Sequence, residues 1–261
     1  MKPPRAMPSS AFSRTALAYA ANEIKALFRG KAWVIMFLVP ALLAGILGPA
    51  VSGLEGEAAS GRAVVGFAVM FSYMVVFWVG HAFYREYWYG TWVRQAALKP
   101  PLLGFILGKM LPAAALTLLQ LMVFFTISIL ILRLPLHGGV LQLLLTSVAL
   151  IASGAALSFL LYVTTRSWLI MSNFAYLILV SFGTLGGSLV VWSKLPRWSQ
   201  VLGYLTPHYW ALAAIDEATI GAGRWLPVLR SVAVLSAMTL TLLAAGALRF
   251  DYKTQKHGAD I

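Results

Sequence analysis

Tyr84-Arg85-Glu86-Tyr87-Trp88-Tyr89-Gly90-Thr91-Trp92-Val93-Arg94 runs on to Lys99-Pro100-Pro101 and then to Gly108-Lys109. This stretch mixes charge, aromatic rings and helix-ending residues in a chain of 261 residues that is 60% hydrophobic and only 11% charged. A water-soluble globule of this length has no core large enough to hide so much apolar surface, so the sequence reads as an integral membrane protein. The stretch is then the polar spacer between two apolar runs. Its neighbours on either side should be membrane spans.

Outward from the spacer, runs of about 20 apolar residues, the length that crosses about 30 Å of hydrocarbon, recur about six times. They cover 32–51, 63–83, 105–132, 140–163, 169–192 and 226–250, the third being long enough to tilt or to bend at Pro112. The predicted fold class is an all-α membrane protein of six transmembrane helices. Three pieces complete it: an interfacial helix near the N-terminus, a short cytoplasmic helix between spans two and three, and a partly re-entrant outer helical hairpin between spans five and six. Residues 1–31 form a cytoplasmic N-terminal segment, 32–250 a six-span domain and 251–261 a cytoplasmic tail.

Charge placement orients the chain. Lys2, Arg5, Arg14, Lys25, Arg29 and Lys31 precede the first span; Arg85, Arg94, Lys99 and Lys109 flank the spacer; Arg166 lies between spans four and five, and Arg249, Lys253 and Lys256 follow the sixth. The other side carries Arg62, Arg133, Lys194, Arg197, Arg224 and Arg230, diluted by Glu55, Glu57, Asp216 and Glu217. Positive-inside logic puts both termini in the cytoplasm. The net charge of +12 is therefore a topology signal and a contact with anionic lipid, and not a nucleic-acid footprint. The first span starts too late and is too long for a cleaved signal peptide. With no cysteine, disulfides and thiolate metal sites drop out.

Residues 11–29 place Phe12, Ala16, Tyr19, Ala20, Leu27 and Phe28 at helical spacing with Arg14, Asn22, Lys25 and Arg29 on other faces, the pattern of a helix lying on the membrane surface. Short loops are expected at 53–61, 134–139 and 164–168. The connection 193–225 is longer, only partly polar and punctuated by Pro196, Pro207, Gly221 and Gly223. Its amphipathic pieces, 198–205 and 209–220, suit helices that dip back into the outer leaflet.

Several chemistries are missing. No Asp, Glu or His occupies the middle of a span, so a proton relay has no material; His81 and Lys109 sit near inner ends, where Lys109 can snorkel to the surface. Ser153-Gly154 lacks the preceding glycine and the later histidine that an intramembrane serine nucleophile needs. His81 has no second histidine within a span for haem, as His137, His208 and His257 fall in loops or the tail. The run from Gly104 to Met110 is one residue short of a phosphate loop and opens an apolar span, so its glycines read as helix contacts. Gly183 and Gly187, four apart, read the same way. No catalytic or metal-ligating set emerges. Within the spacer, Tyr84, Trp88 and Trp92 fall at four-residue steps, an aromatic stripe for the headgroup region, while Arg85, Glu86 and Arg94 face water and Lys99-Pro100-Pro101 re-aims the chain.

Arg85-Glu86, Gly90-Thr91, Pro100 and Gly108-Lys109 follow one another as in the first cytoplasmic coupling region of type-2 ABC exporter permeases, which this segment resembles. Leu195-Pro196-Arg197-Trp198, then Thr206-Pro207-His208-Tyr209-Trp210-Ala211 and Gly221, is similar to that family's outer helical hairpin. The resemblance covers essentially the full length. It implies the membrane subunit of an ATP-driven exporter in a bacterial cytoplasmic membrane, with alternating access powered by a separate dimer of ATP-binding subunits. ATP and Mg belong to that partner and no cofactor to this chain; a second permease copy or a paralogue completes the pathway. Arg85, Glu86, Gly90, Thr91, Arg94 and Pro100 are then the ATPase-coupling residues, Glu86 as a charge-pair contact and Gly90 as a hinge or close-packing point. Pro196, Trp198, Pro207, Tyr209 and Trp210 belong to the hairpin.

The chain departs from the family pattern at Trp92-Val93-Arg94 and Lys99. Thr206 and Asp216 stand where polysaccharide exporters carry Asn and Arg, which favours hydrophobic or amphiphilic cargo, drug-like or lipid-linked. Three alternatives stay open: a polysaccharide or glycolipid exporter of the same family, a membrane scaffold, and a lipid-modifying enzyme using Asp216 and Glu217. Adjacent acids on a helix point about 100° apart, poor geometry for one paired site.

Overall fold

The second to sixth apolar runs become largely helical, and no strand occurs among the described residues of the computed structural model, which are 9–31, 33–34, 37–38, 42, 46, 57–190, 192–254 and 256. Among the described residues five spans are long and apolar enough to cross a membrane: Gly61–Trp88, Leu102–Leu130, Val140–Thr164, Trp168–Leu185 and Trp225–Arg249. They coincide with the second to sixth expected spans. The first, 32–51, falls largely outside the described residues.

The amphipathic opening forms α1 (Ser9–Arg29). The next span is two helices, α2 (Glu57–Ser72) and α3 (Val75–Trp88), so residues 57–61, expected in a loop, are already helical. At the joint the backbone tightens: Tyr73 N bonds Met70 O at 3.2 Å, Met74 N bonds Phe71 O at 3.0 Å and Val76 N bonds Tyr73 O at 3.0 Å, all three residues apart. Side chains of the fourth expected span hold the joint in place. Ser158 Oγ donates to Val76 O at 2.7 Å, and the Tyr73 and Ser153 hydroxyls are 2.9 Å apart.

After a short α4 (Trp92–Leu98), α5 (Leu102–Leu130) passes through Pro112 without ending. Helix α6 (Val140–Thr164) follows a turn in which Arg133 has φ 51° and Gly139 φ 145°. Helix α7 (Trp168–Leu185) starts on a Ser167 cap, whose Oγ accepts from Ile170 N at 3.4 Å. It stops seven residues before the expected Trp192, because Gly186 ends it and Gly187 turns away at φ 86°. Of the two glycines read as a packing pair, only Gly183 is inside the helix; a β-carbon there would lie 2.5 Å from Met70 Cγ.

The connection to the last span folds as predicted into two helices, α8 (Arg197–Gly203) and α9 (Pro207–Thr219), before α10 (Trp225–Arg249). Pro207 opens α9 at a position where its missing N–H costs nothing, and Thr206 Oγ1 caps it from Tyr209 N at 3.4 Å. Trp192, Tyr204, Tyr209 and Trp210 close the hairpin, with ring centroids 4.2 Å apart for Trp192–Tyr209 and 4.6 Å for Tyr204–Tyr209. His208 belongs to α9 and is fully buried against the Tyr73 ring at 4.5 Å, a correction to its expected place in a loop.

Packing joins α10 to α6 most extensively, then α1 to α5, with α3 held against α6 and α5. Tyr73, Phe83, Tyr84, Phe105, Phe159 and Tyr162 form the centre of the core. Small residues allow the close approaches that lipid-embedded helices need. On α5, a β-carbon at Gly108 would sit 2.6 Å from Tyr19 Cβ, and one at Gly104 would sit 3.3 Å from Thr15 Cβ and 3.1 Å from Phe12 O. Helix α1 is thus docked on α5 by glycines. The cysteine-free background makes this testable: Thr15→Cys with Gly104→Cys should form a disulfide under mild oxidation, as their β-carbons approach the roughly 3.5–4.5 Å that a disulfide spans. Absence of cross-linking on a gel would show α1 detached.

Candidate functional site

The spacer quoted at the outset is built from the end of α3, a turn, and α4. Helix α3 ends at Trp88, Gly90 adopts φ 65°, and α4 begins at Trp92. A left-handed φ is what glycine supplies at low cost. A β-carbon at Gly90 would meet nothing within 4 Å, so this residue makes a turn and not a close-packing point. Lys99, at φ 42°, ends α4, and Pro101 precedes α5.

The turn breaks the expected continuous stripe. Tyr84 is fully buried and Trp92 is 5% exposed, so neither ring is turned outward toward headgroups, and Glu86, expected in water, is 5% exposed. Lys109 is 0% exposed and does not snorkel. The physical reason is a partner that sequence spacing does not reveal: Glu23 of α1, itself 2% exposed.

These groups form one network. Lys109 Nζ contacts Glu23 Oε1 at 2.6 Å, makes a very short contact with Glu86 Oε1 and donates to Ala82 O at 3.1 Å. Arg85 Nη2 pairs with Glu23 Oε2 at 2.7 Å. The other Glu86 oxygen accepts from Thr91 Oγ1 at 2.5 Å and Gln95 Nε2 at 3.4 Å, and Gln95 Oε1 accepts from the Tyr19 hydroxyl. Burial first, and the nearby Glu86 charge second, push the Tyr19 hydroxyl up to about 12, so it stays protonated as a donor. Two acids and two bases cancel, and α1, α3, α4 and α5 are held at one point. Glu23 left one trace in the sequence: it is the sole acid before Glu55.

A second layer holds α4 from the far side. Trp92 stacks on Tyr87 at 4.8 Å and lies 6.2 Å from Tyr252. Tyr252 donates to Pro100 O at 2.7 Å, Tyr87 donates to Thr254 O at 3.3 Å, and Lys256 Nζ caps the end of α6 at Thr165 O, 2.6 Å away, above the Tyr162 ring. Residues 250–254 and Lys256 are a strap across the spacer. What remains exposed on α4 is Val93, Arg94, Ala97 and Leu98, and beside it Tyr89. Between α1 and the spacer lies a cleft of about 1160 Å³, whose walls include Asn22, Lys25, Arg29, Arg85, Arg94 and Gln95.

The hairpin residues Pro196, Trp198, Pro207, Tyr209 and Trp210 are not brought to this site. They lie toward the other end of the α2–α3 span, whose 28 residues measure on the order of 40 Å. There Asp216 pairs with Arg62 of α2 at 2.5 Å, and Glu217 with Arg224 at 3.0 Å. Burial raises the Asp216 carboxyl, opposed by the Arg62 charge, and the Arg224 bonds lower that of Glu217. Each acid serves its own arginine, which does not make a paired acid–base site.

One comparison places this chain among known proteins. No curated protein matches the chain significantly. The profile of the ABC-2 type transporter family, a transmembrane transport domain that works with an ATP-binding subunit, matches residues 16–218, from the middle of α1 to the end of α9. The spacer segment and the hairpin segment up to Ala211 lie within that match, with Gly221 just beyond it, and with several apolar spans around them the chain belongs to the ABC-2 type transporter family as a multi-pass membrane permease.

Proposed function

We propose that this permease is the membrane half of an exporter for hydrophobic or amphiphilic molecules, worked by a dimer of ATPase subunits that bear on the exposed face of α4. In this reading both termini are in the cytoplasm of a bacterium, ATP and Mg stay on the partner, and a second permease copy or paralogue shares the pathway. The observation that carries it is the buried charge network. It joins α1, α3 and α5, and Gln95 ties α4 to it through Glu86 and Tyr19, so a push on α4 moves spans and not a loose loop. Glu86 belongs inside that fastening, and the docking role passes to Val93, Arg94 and Leu98.

The cargo side has support on α7. Asn173, Tyr176, Val180 and Thr184 are exposed at helical spacing, beside Phe174 and Leu177. An amide turned to lipid tails costs several kcal/mol, whereas the same mixed stripe suits a pathway shared with a second copy and wetted by an amphiphile.

The test is co-expression with a cognate ATP-binding subunit. Val93→Asp with Arg94→Glu should cut permease-stimulated ATP hydrolysis by about tenfold or more, the cost of losing a central contact, while membrane insertion is unchanged. Unaltered stimulation and unaltered co-purification would remove α4 as the docking surface.

A further inference from the structure

Helix α1 presents three faces. With successive residues 100° apart, Ala16, Tyr19 and Glu23 point onto α5, Leu17, Ile24 and Phe28 point about 125° away on one side, and Asn22, Lys25 and Arg29 point about 120° away on the other, into the cleft. Leu17 is 69% exposed and Phe28 57%. A bare apolar face beside a basic one, on a helix at the end of a membrane bundle, is the arrangement that meets acyl chains and headgroups together.

Across the cleft stand Arg85 and Arg94. Arg85 and Glu86 have their charges matched within the network, which leaves Lys25, Arg29 and Arg94 facing the space. Among the described residues no carboxylate is in ion-pair contact with any of these three. Three cations from two different elements converge on a volume of about 1160 Å³, ample for a headgroup.

We propose that this cleft holds the phosphate-bearing headgroup of an anionic phospholipid, with its acyl chains along Leu17, Ile24 and Phe28, bridging α1 to α4. The lipid acts as a fixed part of the spacer and is distinct from cargo. The inference needs only a membrane-embedded chain; it shares Arg94 with the proposed docking face, and the single variants Lys25→Gln and Arg29→Gln on α1, outside that face, make the two fail separately.

The purified full chain in neutral micelles doped with phosphatidylglycerol or phosphatidylcholine tests it, with retained lipid read by native mass spectrometry and the unfolding midpoint followed in parallel. Phosphatidylglycerol should be retained selectively and raise the midpoint. The triple variant Lys25→Gln, Arg29→Gln, Arg94→Gln should weaken its retention on the order of a hundredfold, about fivefold per cation. Arg133→Gln with Arg197→Gln, at exposed positions elsewhere, should change nothing. If the triple variant fails to fold, each single variant carries the test at about fivefold. Equal retention of both lipids, full retention by the variants, or displacement by inorganic phosphate at matched concentration would overturn the proposal, the last by showing a free-anion site.

Discussion

Replacing Lys109 by methionine is expected to be the most damaging single change at the spacer, costing about 3–5 kcal/mol. The residue is fully buried between two carboxylates that are themselves 2% and 5% exposed. Methionine matches the stem but leaves Glu23 with only Arg85 and Glu86 with no cation, and an uncompensated buried charge costs that much. An exposed pair would cost at most about 1 kcal/mol, so the magnitude separates the two situations. Adding Glu86→Gln to Lys109→Met removes the stranded charge and keeps the Glu23–Arg85 pair. The double variant should recover more than half of the loss. Denaturant unfolding in micelles measures both, and a single-variant loss below about 1 kcal/mol would show that the network is not closed to water.

Trp92→Ala is the second large effect, on the order of 3–5 kcal/mol, as for other buried aromatics cut to alanine. Trp92 is where the strap meets α4: its ring touches Tyr87, Tyr252, Phe105 and Phe250. Its removal opens a hole between the spacer and the residues that cross it. Trp92→Phe, which keeps part of the stack, should lose less than half as much. Limited proteolysis offers the local readout, since 84–101 should become cleavable in the alanine variant before the spans unfold. Cleavage of the spans first would place the weakness elsewhere.

Much of this architecture was legible because membranes leave few options. Apolar length alone located five spans to within a few residues at most boundaries, and the amphipathic piece 209–220 falls on α9, which in fact opens two residues earlier at Pro207. The exceptions share a cause. The end of α7 was hidden because 186–191 stays apolar after the glycines have turned the chain, so hydropathy ran on where backbone geometry stopped. The joint at Tyr73 and Met74 has neither proline nor glycine and rests on Ser153 and Ser158, residues 80 or so positions away.

The site was half legible. Residue types at the spacer pointed to it, but charge was read as a preference for water. Arg85 and Glu86 are instead turned inward by Glu23 and Lys109, which lie in two other helices, and pairing across such separations leaves no periodic signal. Gly108 was read as a packing contact, as it is; what it packs on is α1, and that contact is what sets Glu23 opposite Lys109.

The strap also dictates an order of events during biosynthesis. Because Tyr252, Thr254 and Lys256 emerge from the ribosome after all the described spans, the spacer between the second and third expected spans waits, half assembled, through the insertion of the rest. Trp92 gains its last neighbours only once α10 is in place, so a nascent chain interrupted before that point displays an unfinished aromatic surface.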